Sequence, residues 1–247
     1  MAHITSARIR KIENLCRRYA ASLRREHGQM ARAQVKKISQ REAGTEFKEN
    51  ITKDLLKDLA ESYPQDGFYH NGNELKTAKD AGYTWHFNML GGFENFLRGR
   101  EDIYQIFVLT KEGKPIECFG YNPLSDQICL AVLNNGATGY ETRLRVSGRK
   151  TLEESCIHLS GLSPDFMCKL QDSGASIRIT GSALTDILDV CSGRADGLFA
   201  QDFPLTESLF ASLMIAESGG NAISLKNNKD FIGANFHCFS QLKKLLS

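Results

Sequence analysis

The sequence has no apolar run approaching the roughly 20 residues needed to span a membrane. Its opening, M-A-H-I-T-S-A-R-I-R-K, holds no apolar segment of the kind that marks a secretory signal, so none is expected. There is no C-x-x-C pair; seven cysteines are scattered from Cys16 to Cys238. An odd, dispersed set excludes a disulfide framework and a clustered zinc site, and it predicts free thiols in a reducing compartment. A large charge of one sign is also missing. The formal net charge is +2, so bulk electrostatics give no reason to expect nucleic acid as a partner. No repeat, low-complexity tract or flexible linker interrupts the chain. Together these absences predict a soluble cytoplasmic chain with no membrane attachment.

What is present suffices for a sizeable core. Of 247 residues, 41% are apolar, enough for one large domain or two intimately packed ones. From Thr5 to Arg25, the residues Ile9, Ile12, Cys16, Tyr19, Ala20 and Leu23 recur at helical spacing. The opposite face carries Arg10, Lys11, Arg17, Arg18, Arg24 and Arg25. A solvated face of amphipathic arginines is preferred there to a surface for nucleic acid or an acidic partner. A second helix is predicted over Lys48 to Glu61, with Ile51, Leu55, Leu56 and Leu59 inward and Pro64 just beyond its end.

The pattern then changes. Y-Q-I-F-V-L-T, P-I-E-C-F-G-Y and Q-I-C-L-A-V-L read as successive strands, joined by turns at E-G-K-P and N-P-L-S-D. Such short connections predict an antiparallel sheet. Beyond Gly148 the short strands C-I-H-L-S, S-I-R-I-T, G-L-F-A, A-I-S-L and F-I-G-A alternate with helices at Ala183 to Cys191, Glu207 to Ser218 and His237 to Leu246. The expected organisation is an α+β sub-domain over 1–125 and an α/β sub-domain over 126–247, sharing one core.

Several motifs stand in a telling order. Trp85-His86-Phe87 precedes N-M-L-G-G-F-E-N-F-L-R-G, from Asn88 to Gly99. N-P-L-S-D-Q-I-C-L-A, N-N-G-A-T-G and L-R-V-S-G follow, then Gly181-Ser182-Ala183 and G-R-A-D-G at Gly193 to Gly197. T-E-S-L-F-A-S-L-M-I-A-E-S-G-G closes the series, from Thr206 to Gly220. In this order, over nearly the full length, the set resembles the inositol monophosphatase family, especially its bacterial SuhB-type members. The resemblance implies a layered αβαβα sandwich, often dimeric, that hydrolyses phosphate monoesters with Mg²⁺. Magnesium demands carboxylate oxygens, water and substrate phosphate in octahedral geometry.

Carried over by position, the resemblance implies that this machinery is degenerate. Asn71 and Gly72 fall on the two glutamates of the family's glutamate pair. Asn88 and Gly91 replace the signature aspartates, and Phe93 replaces the threonine that helps the attacking water. Glu207 stands for the aspartate of the second signature, Lys48 for an earlier supporting aspartate, and Ala200 for a glutamate that binds the inositol ring. The weak metal candidates that remain are Asn88, the carbonyl of Leu90, and Glu207. An amide oxygen brings no negative charge, and charge dominates the binding of a hard dication. Asp66, Glu74, Asp80 and Glu94 lie near enough to be considered as displaced ligands. Gly92, Gly181, Ser182 and Ala183 are the expected remnant of an anion or substrate site at helix N-termini. His86 reads as a packed strand histidine, His70 as a loop residue, and Cys191 as helix packing without a group that would activate it. The expectation is therefore a pseudoenzyme without a metal cofactor. It would act by binding a protein partner or a second copy, with phosphate or sulfate as a candidate ligand. Mg²⁺ enters only under the alternative, a weak or altered sugar phosphatase that uses displaced carboxylates.

Overall fold

The computed structural model describes residues 6–33, 40–79, 82–161, 164–225 and 229–246. The chain forms two compact units, Met1–Ile128 and Cys129–Ser247.

In the first unit, α1 (Ala7–Ala33) is opened by Ser6, whose hydroxyl accepts from the Ile9 N–H at 3.2 Å. Ile9, Ile12, Cys16, Ala20 and Leu23 are buried, as their spacing predicts. The helix α2 (Gln40–Ser62) starts well before Lys48, because its first turns carry few apolar residues to betray it. Five strands follow, β1 (Gly67–His70), β2 (Asn73–Lys76), β3 (Thr84–Gly91), β4 (Tyr104–Lys111) and β5 (Lys114–Asn122), with the single-turn helix α3 (Phe93–Leu97) between β3 and β4. Their order is β2-β1-β3-β4-β5, antiparallel except for the parallel β1–β3 pair. Two-residue turns close two of the hairpins. Asn71-Gly72 and Glu112-Gly113 have positive φ at both positions, the twist that suits antiparallel strands. Phe68, Trp85, Phe87, Phe107 and Phe119 face the buried side chains of α1 and α2 in one core.

The second unit takes over within β6 (Gln127–Val132), which pairs antiparallel with β7 (Gly136–Gly139), itself paired with β8 (Thr142–Arg143). Next come β9 (Cys156–Ser160), α4 (Pro164–Asp172), β10 (Ser176–Arg178), α5 (Ala183–Cys191), β11 (Gly197–Ala200), α6 (Leu205–Glu217), β12 (Asn221–Ser224), β13 (Phe231–Ala234) and α7 (Phe236–Leu246). The five-stranded sheet runs β10-β9-β11-β13-β12, with β10, β9 and β11 parallel. Ile157, Leu159, Phe199 and Ile232 pack with α4 and α7. Strand alternation turns His158 to the other face, where it meets α5.

Candidate functional site

The first signature forms the end of β3 and the turn into α3. The ladder to β4 shifts register between Asn88 and Gly91, so Met89 and Leu90 form a bulge. Asn88 is buried, and its Oδ1 accepts from the Leu90 N–H at 3.2 Å, a local turn that occupies the oxygen considered for metal. Met89 is fully buried, with its sulfur 3.7 Å from the Gln105 amide. Gly91 lies against Tyr104: a Cβ there would sit 2.0 Å from the ring's Cε2 and Cζ. At Gly92, φ is 68°, and a Cβ would fall 2.3 Å from the Asp102 carbonyl oxygen, so only glycine serves.

Phe93 is half-buried and stacks on Phe96, and the Lys48 ammonium stands 5.6 Å from its ring centroid. The helix it opens has five residues, so its dipole is small, and Glu94 in its first turn already opposes an anion. This geometry does not favour an anion site at Gly92. Lys48, His70 and Asn71 come together on a pocket between α2 and the β1–β2 hairpin. His70 ends strand β1, which corrects its reading as a loop residue; the hairpin turn begins one residue later. Burial and the nearby Lys48 charge lower its pKa to about 4. His86, stacked on Tyr69 with centroids 5.0 Å apart, is likewise lowered to about 4 by burial, as a packed strand histidine should be.

The displaced carboxylates are engaged elsewhere. Asp66 is buried, pairs with Arg8 and accepts from Trp85 Nε1 at 2.9 Å and the Tyr83 N–H at 3.3 Å. Arg8 in turn lies 4.4 Å from the ring centroids of both Tyr63 and Tyr83. Glu94 is exposed and pairs with Arg41, and Glu74 accepts from the Thr77 hydroxyl at 2.5 Å. Asp80 lies outside the described residues. Among the described residues, no group of three or more His, Cys, Asp or Glu side chains is placed to hold a metal ion. Asn71 and Asn88 offer amides and Gly91 offers no side chain, so the residues present do not fit the family's magnesium cluster.

In the second unit, Gly181 has φ 74° and Ser182 caps α5, its hydroxyl accepting from the Thr185 N–H at 3.5 Å and from the Thr185 hydroxyl at 3.1 Å. Ala183 is the first helical residue, and Asp186 already supplies a negative charge in that first turn. Glu207 is buried in the first turn of α6. Glu217, the glutamate of the second signature, accepts from the Asn134 N–H at 2.7 Å and the Gly136 N–H at 2.6 Å, which fixes the glycine-rich turn. Ala200 ends β11 fully buried. Burial pushes the Cys191 thiol up to about 12, so it is no nucleophile.

One polar cluster escaped the sequence reading. His158 Nδ1 lies 2.6 Å from Asp186 Oδ1, and its Nε2 lies 3.4 Å from Asp189 Oδ2. Asp186 Oδ1 also accepts from Thr180 Oγ1 at 2.6 Å, and that hydroxyl accepts from the Ser182 N–H at 3.0 Å. Three of the four side chains (Thr180, Asp186, Asp189) are short, polar and ordinary around helix starts, so only the histidine inside C-I-H-L-S could have given a signal.

The fold is the layered α/β fold of the inositol monophosphatases. The extragenic suppressor protein SuhB of Bartonella henselae superposes with a TM-score of 0.86 at 23% identity, covering 98% of this chain and 99% of that one. The inositol monophosphatase of Thermotoga maritima gives 0.82 at 18% identity, covering 98% and 97%. In sequence, the chain is 28% identical to an inositol-1-monophosphatase of Rhizobium meliloti over 209 residues, 81% of this chain and 78% of that protein. It is 27% identical over 198 residues to a protein named Nus factor SuhB from Xylella fastidiosa, covering 76% and 71%. No family model matches the chain. By fold and by these relatives, the chain is similar to the inositol monophosphatases. Among the described residues, no helix is long and apolar enough to cross a membrane.

Proposed function

We propose that this chain acts by binding and not by metal-dependent hydrolysis of phosphate monoesters. One observation carries the reading: the space an aspartate side chain at position 91 would enter is filled by the Tyr104 ring. The core itself is built around the missing ligand, so the loss is more than a surface change. The lysine at position 48 and the amide at position 71 support the same conclusion, since neither helps to gather two dications. The occupant is a protein, either another chain or a second copy of this one. Relatives named Nus factor SuhB support a protein partner as a use of the same fold. The basic face of α1 gives no support to nucleic acid. Arg17 pairs with Glu13 at 3.1 Å and Asp126 at 2.8 Å, Arg18 with Asp58, and Arg24 Nε donates to the Pro123 carbonyl at 2.6 Å.

Thermal melting with and without magnesium tests the loss of the metal site. A ligand at a hundred times its Kd stabilises the folded state by about 2.7 kcal/mol. In a chain of this size, that corresponds to a rise of roughly 5–10 °C. The melting temperature should stay within error across millimolar magnesium. A rise of several degrees would show that the residues present do form a metal site.

A further inference from the structure

The segment from Thr142 to Lys150 in the second unit is rich in charge of one sign. Four of the chain's 31 basic residues, Arg143, Arg145, Arg149 and Lys150, fall within these nine positions, and no acidic residue does. Beyond β8 the segment has no regular structure, yet its backbone is fixed from several sides. The Leu144 N–H donates to the Ala137 carbonyl at 2.9 Å, and the Val146 N–H donates to the Ser218 carbonyl at 3.1 Å. Ser147 Oγ donates to buried Asp196 and accepts from Asn235 Nδ2 at 2.8 Å, and Gln241 Nε2 donates to the Lys150 carbonyl at 2.8 Å. A partner meets a surface that is already ordered, with little further entropy to lose.

Leu144 is buried between exposed Arg143 and Arg145, so alternation puts the two arginines on one outer face. Among the described residues, the side chains of Arg143, Arg145 and Lys150 have no ion-pair or hydrogen-bond partner. Arg149 is answered by Asp196 at 3.2 Å. A Cβ at Gly193 would lie 3.3 Å from the Ser147 nitrogen, which brings exposed Arg194 to the same surface, its guanidinium 4.3 Å from the Tyr140 ring centroid. Carboxylates do little to offset these cations. Glu141 is exposed in the turn before β8, Asp189 faces His158, and Glu217 is held by the Asn134 and Gly136 N–H groups. Leu133, 45% exposed in the β6–β7 turn, adds an apolar contact near Arg143, whose Nη2 would lie 2.8 Å from a Cβ at Gly136.

The guanidinium fork pairs with carboxylate or phosphate, so the partner is an anion. Tyr140 has Arg194 over its ring and offers a base no open stacking platform, which disfavours single-stranded nucleic acid. An extended peptide repeats a side-chain direction every two residues, roughly 7 Å, the same repeat that separates Arg143 from Arg145. We infer that this strip docks an acidic protein segment in extended conformation. Its carboxylates at alternate positions meet Arg143 and Arg145, and an apolar side chain meets Leu133. The inference rests on the reading that the chain acts through a protein partner, and it names the chemistry of that partner.

The probe is a fluorescein-labelled peptide that alternates Glu and Ser around one central Leu, followed by anisotropy on the full chain. It should bind about tenfold more tightly than the same peptide with Gln for Glu, and its affinity should fall as salt rises. Arg143→Glu with Arg145→Glu, both at exposed positions, should weaken it by about tenfold or more, with the melting temperature unchanged. Arg143→Gln with Arg145→Gln should act in the same direction and less strongly. Arg10→Glu with Lys57→Glu makes the same charge change at exposed positions of the first unit and should leave binding unaltered. No binding at low salt, or an equal loss in that control pair, overturns the assignment. Tighter binding of a single-stranded RNA of matched charge overturns it in favour of nucleic acid. Magnesium-dependent phosphate release would defeat the non-hydrolytic reading and leave these outcomes untouched, so the two readings fail separately.

Discussion

The ring of Tyr104 occupies the space that a side chain at Gly91 would enter, with an added Cβ only 2.0 Å from Cε2 and Cζ. The two residues face each other in the β3–β4 ladder just beyond the bulge at Met89 and Leu90. Placing an aspartate there is therefore a packing problem before it is a chemical one. Gly91→Asp should destabilise the protein by about 2 kcal/mol or more, the range of overpacking and buried charge. In a Tyr104→Ala background, the added cost should fall by at least about 1 kcal/mol, the size of coupling expected between residues in contact. Urea denaturation of the four proteins completes the cycle, and additive effects would show that the ring does not exclude the side chain.

Asp66 holds Arg8, Trp85 Nε1 and the Tyr83 N–H together in the first unit. Arg8 is a quarter exposed and can turn to water, but removing Asp66 strips the buried Trp85 Nε1 of its acceptor. Asp66→Ala should cost about 1–3 kcal/mol. Asp66→Asn, which keeps an acceptor for the indole N–H, should cost less. Equal losses in the two variants, read from chemical denaturation, would mean that the indole bond contributes nothing.

The His158 cluster makes a similar claim for the second unit. Asp186→Ala should cost about 1–3 kcal/mol, the range for leaving buried polar groups unsatisfied, and loosen the turn from Thr180 to Ala183, because Thr180 loses its acceptor. Hydrogen exchange at 180–185 checks the second part. Protection unchanged at the Ser182 and Thr185 amides would contradict the proposed link from histidine to turn.

Acid should weaken the fold through His70 and His86. Both have folded pKa values of about 4, below the unfolded value near 6.5. Between those limits, the unfolded chain binds more protons than the folded one. Stability is therefore full above about pH 6.5 and is lost as pH falls towards 4, with a slope of at most about 1.4 kcal/mol per pH unit for each proton. His86→Phe should flatten the curve. An unchanged slope in that variant would assign the acid sensitivity to other groups.

Much of this molecule was legible in its sequence where periodicity was strong. The apolar runs Y-Q-I-F-V-L-T and P-I-E-C-F-G-Y, bounded by turns, gave β4 and β5 nearly to the residue, and α5 ended where Ala183 to Cys191 predicted. Other elements lacked that signal. Only His70 and the exposed residues of β2 flank the Asn71-Gly72 turn, so a genuine hairpin looked like a polar loop. In α4, only Phe166 and Leu170 are buried, too few for a recognisable stripe. At the site, the sequence shows amides at Asn71 and Asn88 and a glycine at Gly91, where the resemblance implies carboxylates. The ring that fills the space beside Gly91 could not, because Tyr104 sits in a strand whose register shifts at the bulge. The fate of Asp66 was equally hidden: its partner Arg8 lies 58 positions away in the chain.

The most direct test of the central claim is hydrolysis itself. The purified protein is incubated with inositol 1-phosphate and millimolar magnesium, alongside a preparation carrying Glu207→Ala, and free phosphate is measured. Loss of one positioned catalytic group commonly lowers a rate on the order of 10² to 10⁴-fold, and the resemblance implies that several such positions differ here. The account predicts phosphate release no faster than a protein-free blank for both preparations. Magnesium-dependent release that co-purifies with the protein and disappears in Glu207→Ala would contradict it.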